Sequence, residues 1–538
     1  MPLPSTIDLG AASLNERVVS STGSLGLNNS VSSLGSRNWV VQKFGGTSVG
    51  KFPVQIVDNI VGSYLNSNKV AIVCSARSTD TKAEGTTNRL LKAAESAIKD
   101  SDSAGFVAVV DAIRSDHLGT AKSLIKSFEL QVELEKDINR ECDVLLKLLG
   151  AVQVIDEISV RTKDTIIGTG EKLACMFMAA LLNDRDIPAE YVSLDAIVPL
   201  DFNAKAGLGQ SFYDFVATQI ALKVRECGDK VPVITGYFGT VPGGLLNAIG
   251  RGYTDLCAAL AAVGLNADEL QVWKEVDGIF TADPRKVATA RLISIITPEE
   301  ASELTYYGSE VIHPFTMEQV IRAHIPIRIK NVENPAGDGT VIYPDNISRK
   351  GDVTPPHPPT SLERISSAFF QTQKKEPTAV TTKPNIVVLN VHSNRRALSH
   401  GFLADIFETL HRYELVVDLI STSEVHVSMA LHSEGNLSGL REASEELKKL
   451  GTVDIIRNMT IVSLVGKQMK QLVGIAGKMF STLAAAEINI EMISQGASEI
   501  NISCVIQQKD ALKALNVLHQ QLLCRPAGPE LVESRQWA

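Results

Sequence analysis

The sequence predicts an α/β protein, a mostly parallel sheet between helices followed by two smaller ferredoxin-like α+β units. Three observations predict it. Residues 38–345 alternate short apolar runs with longer amphipathic stretches, the pattern of a parallel sheet covered on both faces. Residues 384–526 carry the order β-α-β-β-α twice, an internal repeat with a spacing of about seventy residues. Between them, 346–383 hold Pro355-Pro356-His357-Pro358-Pro359 and Lys374-Lys375-Glu376-Pro377, the composition of a stiff, solvated linker.

Composition narrows the function. The 538 residues leave room for roughly three or four domains. A hydrophobic content of 44% with 21% charged residues suits folded cores. A net charge of −9 argues against a nucleic-acid partner, which needs a basic field, and 5% aromatics leave little for base stacking. Seven cysteines are scattered without a C-x-x-C pair, so neither a disulfide framework nor a protein-only metal site is predicted; reduced thiols in the cytoplasm fit. No apolar run is read as a membrane span.

Residues 1–37, rich in Ser, Gly, Asn and Leu, read as a disordered tail. The sheet domain, 38–345, opens with the apolar strand Trp39-Val40-Val41, which runs into Gln42-Lys43-Phe44-Gly45-Gly46-Thr47-Ser48-Val49-Gly50-Lys51. Paired glycines admit a ligand close to the backbone, and lysine supplies a point charge for phosphate. This reads as a phosphate-handling turn before a helix that extends to Val61. Gly45 to Lys51 fits G-x-x-x-x-G-K, but Phe52 stands where a P-loop needs a hydroxyl. Further strands are predicted at 70–74, 189–193, 231–235, 269–273 and 325–329. Helices are predicted at 88–99, 104–115, 121–149, 171–183, 210–226 and 254–264. The first repeat unit, 384–455, has strands at 386–391, 415–420 and 425–432 and helices at 400–413 and 437–450. The second, 456–526, has strands at 459–464, 488–493 and 500–506 and helices at 474–486 and 509–521. Residues 527–538 form a tail.

Four further loops gather polar chemistry: Cys74-Ser75-Ala76 with Thr86-Thr87-Asn88; Gly168-Thr169-Gly170-Glu171, read as a glycine loop opening a helix; Gly250-Arg251-Gly252-Tyr253-Thr254-Asp255; and Lys274-Glu275-Val276-Asp277-Gly278-Ile279-Phe280-Thr281-Ala282-Asp283-Pro284-Arg285. Arg251 suits a carboxylate, Glu171 or Asp255 an ammonium group, Lys43 and Arg285 phosphates. A ligand with an amine, carboxylates and a nearby nucleotide uses all of them. Phosphoryl transfer needs mainly positioning and charge stabilisation, and a carboxylate nucleophile is already ionised at neutral pH. Each residue also has a plain structural reading, such as a dipole-favoured helix carboxylate for Glu171.

Taken together these motifs, with Val311-Ile312-His313-Pro314, resemble the aspartokinases of the amino-acid kinase family, and the Gly308–Thr316 stretch is most similar to fungal members. Gly401-Phe402-Leu403-Ala404-Asp405-Ile406-Phe407 and Val417-Asp418-Leu419-Ile420-Ser421-Thr422-Ser423 resemble the first of that family's paired ACT domains. The resemblance implies ATP-dependent phosphorylation of the L-aspartate side-chain carboxylate. It implies that Lys43 bridges phosphate and acceptor, that Asp255 orders Lys43, that Arg251 holds the α-carboxylate and Glu171 the amine, and that Thr47, Ser75 and Thr87 are lesser substrate contacts. ATP is implied to lie against Lys43, Gly45, Gly46, Lys274, Glu275, Phe280 and Arg285, with Mg2+ held by ATP oxygens. Ser399, Gly401, Phe402, Asp418 and Ser423 match effector-binding positions; the fungal likeness implies threonine as inhibitor, and ACT pairing implies a homo-oligomer. Two alternatives stay open: a glutamate kinase, and an inactive amino-acid sensor acting through its ACT units.

Overall fold

The computed structural model describes residues 38–524, apart from 79–84, 100–101, 200–207, 242, 307–311, 344–375, 394–400, 424, 433–435 and the side chain of Arg251. The tails and most of the stretch read as linker lie outside the described residues.

The first sheet contains β1 (Trp39–Phe44), β2 (Lys69–Cys74), β3 (Ala189–Val192), β4 (Val231–Thr235), β5 (Glu269–Lys274), β6 (Ile295–Ile296), β7 (Ile327–Asn331) and β8 (Thr340–Ile342). Its order is β3-β4-β2-β1-β5-β7-β8-β6. All neighbours are parallel except β7 and β8. The apolar run that opens the domain is therefore an interior strand, with Lys43 opposite Val73 on one side and Val272 on the other.

Besides short helical segments over Pro53–Gln55, Ile56–Val61, Gly62–Tyr64 and Leu245–Ala248, the helices are α1 (Gly46–Lys51), α2 (Thr86–Lys99), α3 (Ala104–Leu124), α4 (Phe128–Ile155), α5 (Val160–Asn183), α6 (Gln210–Glu226), α7 (Tyr253–Leu265), α8 (Pro298–Tyr306) and α9 (Pro314–Arg322). One core joins Val41, Ala71 and Val73 to α6, α7 and α9; the other joins Phe44, Val70 and Ile72 to α2–α5. Side chains alternate along a strand, so Lys43 shares the face of Val41, the face that α7 covers.

Three expectations change here. The helices read at 104–115 and 121–149 meet at 125–127 instead. Asp184 accepts the amides of Lys126 and Ser127 at 2.9 and 2.7 Å, and Ser127 caps α4, so the break is fixed by a contact distant in sequence. Gly168 to Glu171 is not a loop opening a helix; it lies mid-way along α5. Its glycines answer to packing: a Cβ on Gly168 would lie 2.6 Å from the Tyr237 ring, and one on Gly170 3.0 Å from the Ala76 Cβ. Finally, α5 has the length and apolar composition of a membrane span, where no such run was expected; 83% of its apolar window is buried inside the protein.

The C-terminal region contains β9 (Ala379–Ser393), α10 (Phe402–Arg412), β10 (Val417–Thr422), β11 (His426–His432), α11 (Leu437–Leu447), β12 (Gly451–Val465), α12 (Ile475–Ala485), β13 (Met492–Gln495), β14 (Asn501–Gln507) and α13 (Ala511–Leu518). The strands form one antiparallel sheet in the order β10-β11-β9-β12-β14-β13. β9 and β12 pair along their length, from Ser393 opposite Gly451 to Ala379 opposite Val465. Each long strand serves both units. Residues 386–393 and 451–456 complete the first unit; 459–465 and 379–383 complete the second. The second unit thus takes its fourth strand from ahead of the first, and β9 begins inside the stretch read as linker, 346–383. Pro384 obscured it, since proline interrupts a strand pattern. It falls between the Lys383–Ile461 and Ile386–Met459 pairs, where the register shifts and no regular ladder bond is needed.

Candidate active site

The carboxyl ends of β1, β2 and β5 deliver three of the sequence motifs to one edge of the sheet, where ligands of open α/β sheets bind. After β1, Gly45 is extended and α1 begins at once with Gly46, so the glycine turn is one residue long. Gly46 is needed for packing: a Cβ there would lie 2.2 Å from the Ala76 carbonyl oxygen. A Cβ on Gly45 would meet nothing closer than Ser48 Oγ at 3.9 Å, which leaves that backbone approachable. Ser75 donates its amide to the Phe44 carbonyl at 3.1 Å, which fixes the loop after β2 against β1. Thr47 on α1, Ser75, and Thr87 in the first turn of α2 are all half-buried.

Lys43 Nζ lies 2.7 Å from Asp255 Oδ1, and the two side chains are only 10% and 17% exposed. Asp255 sits in the first turn of α7, where the helix dipole favours a carboxylate. Gly250, at φ +81°, sets up the 3-10 turn Gly250–Gly252 that leads into α7. The backbone of Arg251 lies in this turn, while its side chain is outside the described residues.

Glu171 is fully buried, and Thr254 Oγ1 donates to its Oε1 at 2.7 Å. Its Oε2 has no hydrogen-bond partner among the described residues. Burial pushes the carboxyl up to about 7; Thr254, Tyr253, the Lys43 charge and the Tyr237 backbone partly offset that push. Lys43, Asp255 and Glu171, scattered over more than two hundred positions, thus form one cluster of a cation and two carboxylates. A buried carboxylate with a free oxygen is suited to a cationic partner, since an uncompensated polar atom is costly there.

The residues that the resemblance assigns to ATP differ in their surroundings. Phe280 is half-buried and bridges to Leu292. Arg285 is 87% exposed and forks onto Asp283 at 3.0 and 3.1 Å. Lys274 ends β5, half-buried. Glu275, exposed at the exit of β5, accepts from Ser48 Oγ at 2.6 Å through its carboxylate, which ties that exit to α1.

In the first C-terminal unit, Gly401 caps α10 at φ +102°, a conformation that favours glycine. Phe402 packs against that unit's core. Asp418 lies at a bulge in β10, its side chain 2% exposed and 2.7 Å from Lys383 Nζ; its Oδ2 is unpartnered among the described residues. Ser423 shapes the β10–β11 turn, its Oγ accepting the His426 amide at 3.2 Å. Ser399 lies outside the described residues.

Sequence reasoning gave no role to Tyr253, Thr254 or Lys383. The first two stand inside a quoted motif, and their position two and one residues before Asp255 was the available signal. Lys383, over the Tyr306 ring at 4.8 Å, carried none, because it reaches Asp418 only through sheet pairing.

Residues 38–331 match the model of the amino acid kinase family and 462–522 that of an ACT domain. The chain belongs to the amino acid kinase family, and its relatives place it among the aspartokinases. It is 60% identical over 496 residues to an aspartokinase of Saccharomyces cerevisiae, covering 90% of this chain and 93% of that one. It is 59% identical over 493 residues to an aspartokinase of Candida albicans, covering 90% of each. Among solved structures it is similar to E. coli aspartokinase III with lysine and aspartate in the T-state, at TM-score 0.70 and 27% identity, covering 90% of this chain and 99% of that one. The R-state of that enzyme with aspartate and ADP matches at TM-score 0.66 and 26% identity over 90% and 99%. Phosphorylation of aspartate is the activity the cluster around Lys43 has to explain.

Proposed function

We propose that this chain transfers the terminal phosphoryl group of ATP to the side-chain carboxylate of L-aspartate, giving 4-phospho-L-aspartate. The observation that carries this reading is the Lys43–Asp255 ion pair beside the buried Glu171, whose Oε2 is unpartnered among the described residues. Lys43 stands between two anions that repel each other, the acceptor carboxylate and the phosphate, and its ammonium stabilises the charge shared in the transition state. Asp255 holds Lys43 in place. Glu171 receives the substrate ammonium, which argues against an N-acetylated acceptor, and Arg251 receives the α-carboxylate by the family pattern. Ser48 and Glu275 brace α1 against β5, so Gly45 stays open to the phosphates. By the family pattern, Mg2+ is held mainly by ATP oxygens. The aspartate and ADP bound by the E. coli structure support the substrate pair.

The same reading makes the enzyme the first step of a route to threonine, methionine and isoleucine, inhibited by threonine at the first ACT unit. A partly free, buried Asp418 carboxylate suits the effector's ammonium. That unit leaves Leu403, Phe407, Val416, Ile420 and Val425 exposed, which supports pairing with a second copy. Seven free cysteines, six of them buried, fit a reducing cytoplasm.

The test is ATP turnover with hydroxylamine trapping of the acyl phosphate, with aspartate or glutamate, each with and without threonine or lysine. Hydroxamate from aspartate alone, suppressed by threonine, is the expected result. Hydroxamate from glutamate overturns the substrate assignment, and suppression by lysine in place of threonine overturns the effector assignment.

A further inference from the structure

The loop that carries Phe280 and Arg285 is held by the second ACT unit as well as by the kinase sheet. Thr281, buried between Phe280 and Ala282, is the point of contact. Its hydroxyl oxygen accepts the Arg291 amide at 2.9 Å and lies 2.8 Å from Nε2 of His519, a fully buried residue at the end of α13. The other ring nitrogen, Nδ1, lies 3.2 Å from Thr289 Oγ1 and 3.5 Å from Cys524 Sγ. The backbone repeats the connection: Val380 of β9 donates to the Thr281 carbonyl at 2.9 Å, and the Arg291 guanidinium donates to the Leu523 carbonyl at 2.7 Å. Ala282 and Val287 complete the core of the second unit with Val380, Leu515 and Leu518.

A hydroxyl both donates and accepts, so Thr281 Oγ1, which accepts the Arg291 amide, has a bond to offer Nε2 in either neutral tautomer of the ring, and Thr289 Oγ1 has the same for Nδ1. Burial and the nearby Arg291 charge disfavour a second proton. Each ring nitrogen has a hydroxyl partner, and each of those hydroxyls belongs to the segment that follows β5.

We propose that His519 is a positioning residue for the nucleotide side of the active site: from the second ACT unit it fixes Thr281, and so sets where the adjoining Phe280 ring stands. The proposal rests on the reading that Phe280 and Arg285 border the nucleotide. His519 itself touches no substrate. Its loss loosens one wall of the nucleotide site and leaves the aspartate cluster around Lys43 and Glu171 as it was.

The experiment is steady-state kinetics on the full chain with His519→Phe, which keeps ring bulk without the hydrogen bonds, and His519→Gln, whose amide restores the bond to Thr281. His519→Phe is expected to raise KM for ATP roughly fivefold, the factor that one hydrogen bond of ordinary net strength supports. KM for aspartate and kcat should hold, and His519→Gln should recover most of the loss. Thr281→Val makes the same cut from the kinase side and serves if the His519 variants unfold; combined with His519→Phe it should add nothing further. An unchanged KM for ATP, or equal rises in both KM values, overturns the proposal. Arg285→Ala is run alongside. A rise in KM for ATP there with none in His519→Phe sinks the proposal alone, whereas no rise in either sinks the nucleotide reading with it.

Discussion

Replacing Glu171 by glutamine should weaken substrate binding and strengthen the fold, and the two effects share one cause. Burial pushes the carboxyl from its ordinary value of 4.5 up to about 7. In the unfolded chain it ionises near 4.5, so above about pH 7 the folded state carries a charge that burial disfavours. Below pH 4.5 the group is protonated in both states and nothing is lost. As pH rises from there toward 7 the unfolded chain sheds its proton first and stability falls. A shift of this size corresponds to about 3 kcal/mol once complete. The glutamine side chain would keep an acceptor for Thr254 and carry no charge, so Glu171→Gln should gain up to that amount at about pH 8 and nothing at about pH 4. Urea unfolding without substrate, at both pH values, reads this directly. In the same variant KM for aspartate should rise roughly tenfold to a hundredfold at the higher pH, the range for a lost hydrogen bond to a charged group. The wild-type KM for aspartate should fall as pH rises through about 7, and the variant should lack that step. If Glu171→Gln is less stable than wild type at the higher pH, or leaves KM for aspartate unchanged, the assignment of the free Glu171 oxygen to the substrate ammonium is refuted.

Lys43→Ala should abolish hydroxamate formation while threonine binding, followed by calorimetry, persists; turnover above a tenth of wild type, a loss under about 1.4 kcal/mol, contradicts the bridging role. Asp418→Asn should leave the uninhibited rate intact and raise the threonine concentration for half-inhibition, and an unchanged inhibition curve removes the effector from that position. Gly168→Ala should lower stability by about 1 to 3 kcal/mol in denaturant unfolding, because the new methyl meets the Tyr237 ring at 2.6 Å. A neutral result would show that the ring can give way.

Local pattern carried most of the architecture. The helix over Gln210–Glu226 and the strand over Val231–Thr235 lie where apolar spacing and turn residues place them, since both are decided within a few residues. The motif Gly250 to Asp255 reads as a helix start for the same reason: a glycine at positive φ and an acidic first turn are local requirements. Contacts between distant segments decided the rest. Gly168 and Gly170 look like a loop until Tyr237 and Ala76 supply the surfaces against which only a residue without a side chain fits. Ala379 to Lys383 reads as linker because its pairing partner, Ile461 to Val465, lies some eighty positions away and a proline interrupts the pattern. The site divides along the same line. Residue types alone suggested Lys43, Asp255 and Glu171 for a charged substrate. That Lys43 pairs with Asp255, that Glu171 is buried enough to hold its proton near neutrality, and that Glu275 is engaged by Ser48 follow from packing β1, β5, α5 and α7 together. Burial and partner geometry set those energies, and neither exists until the chain has folded.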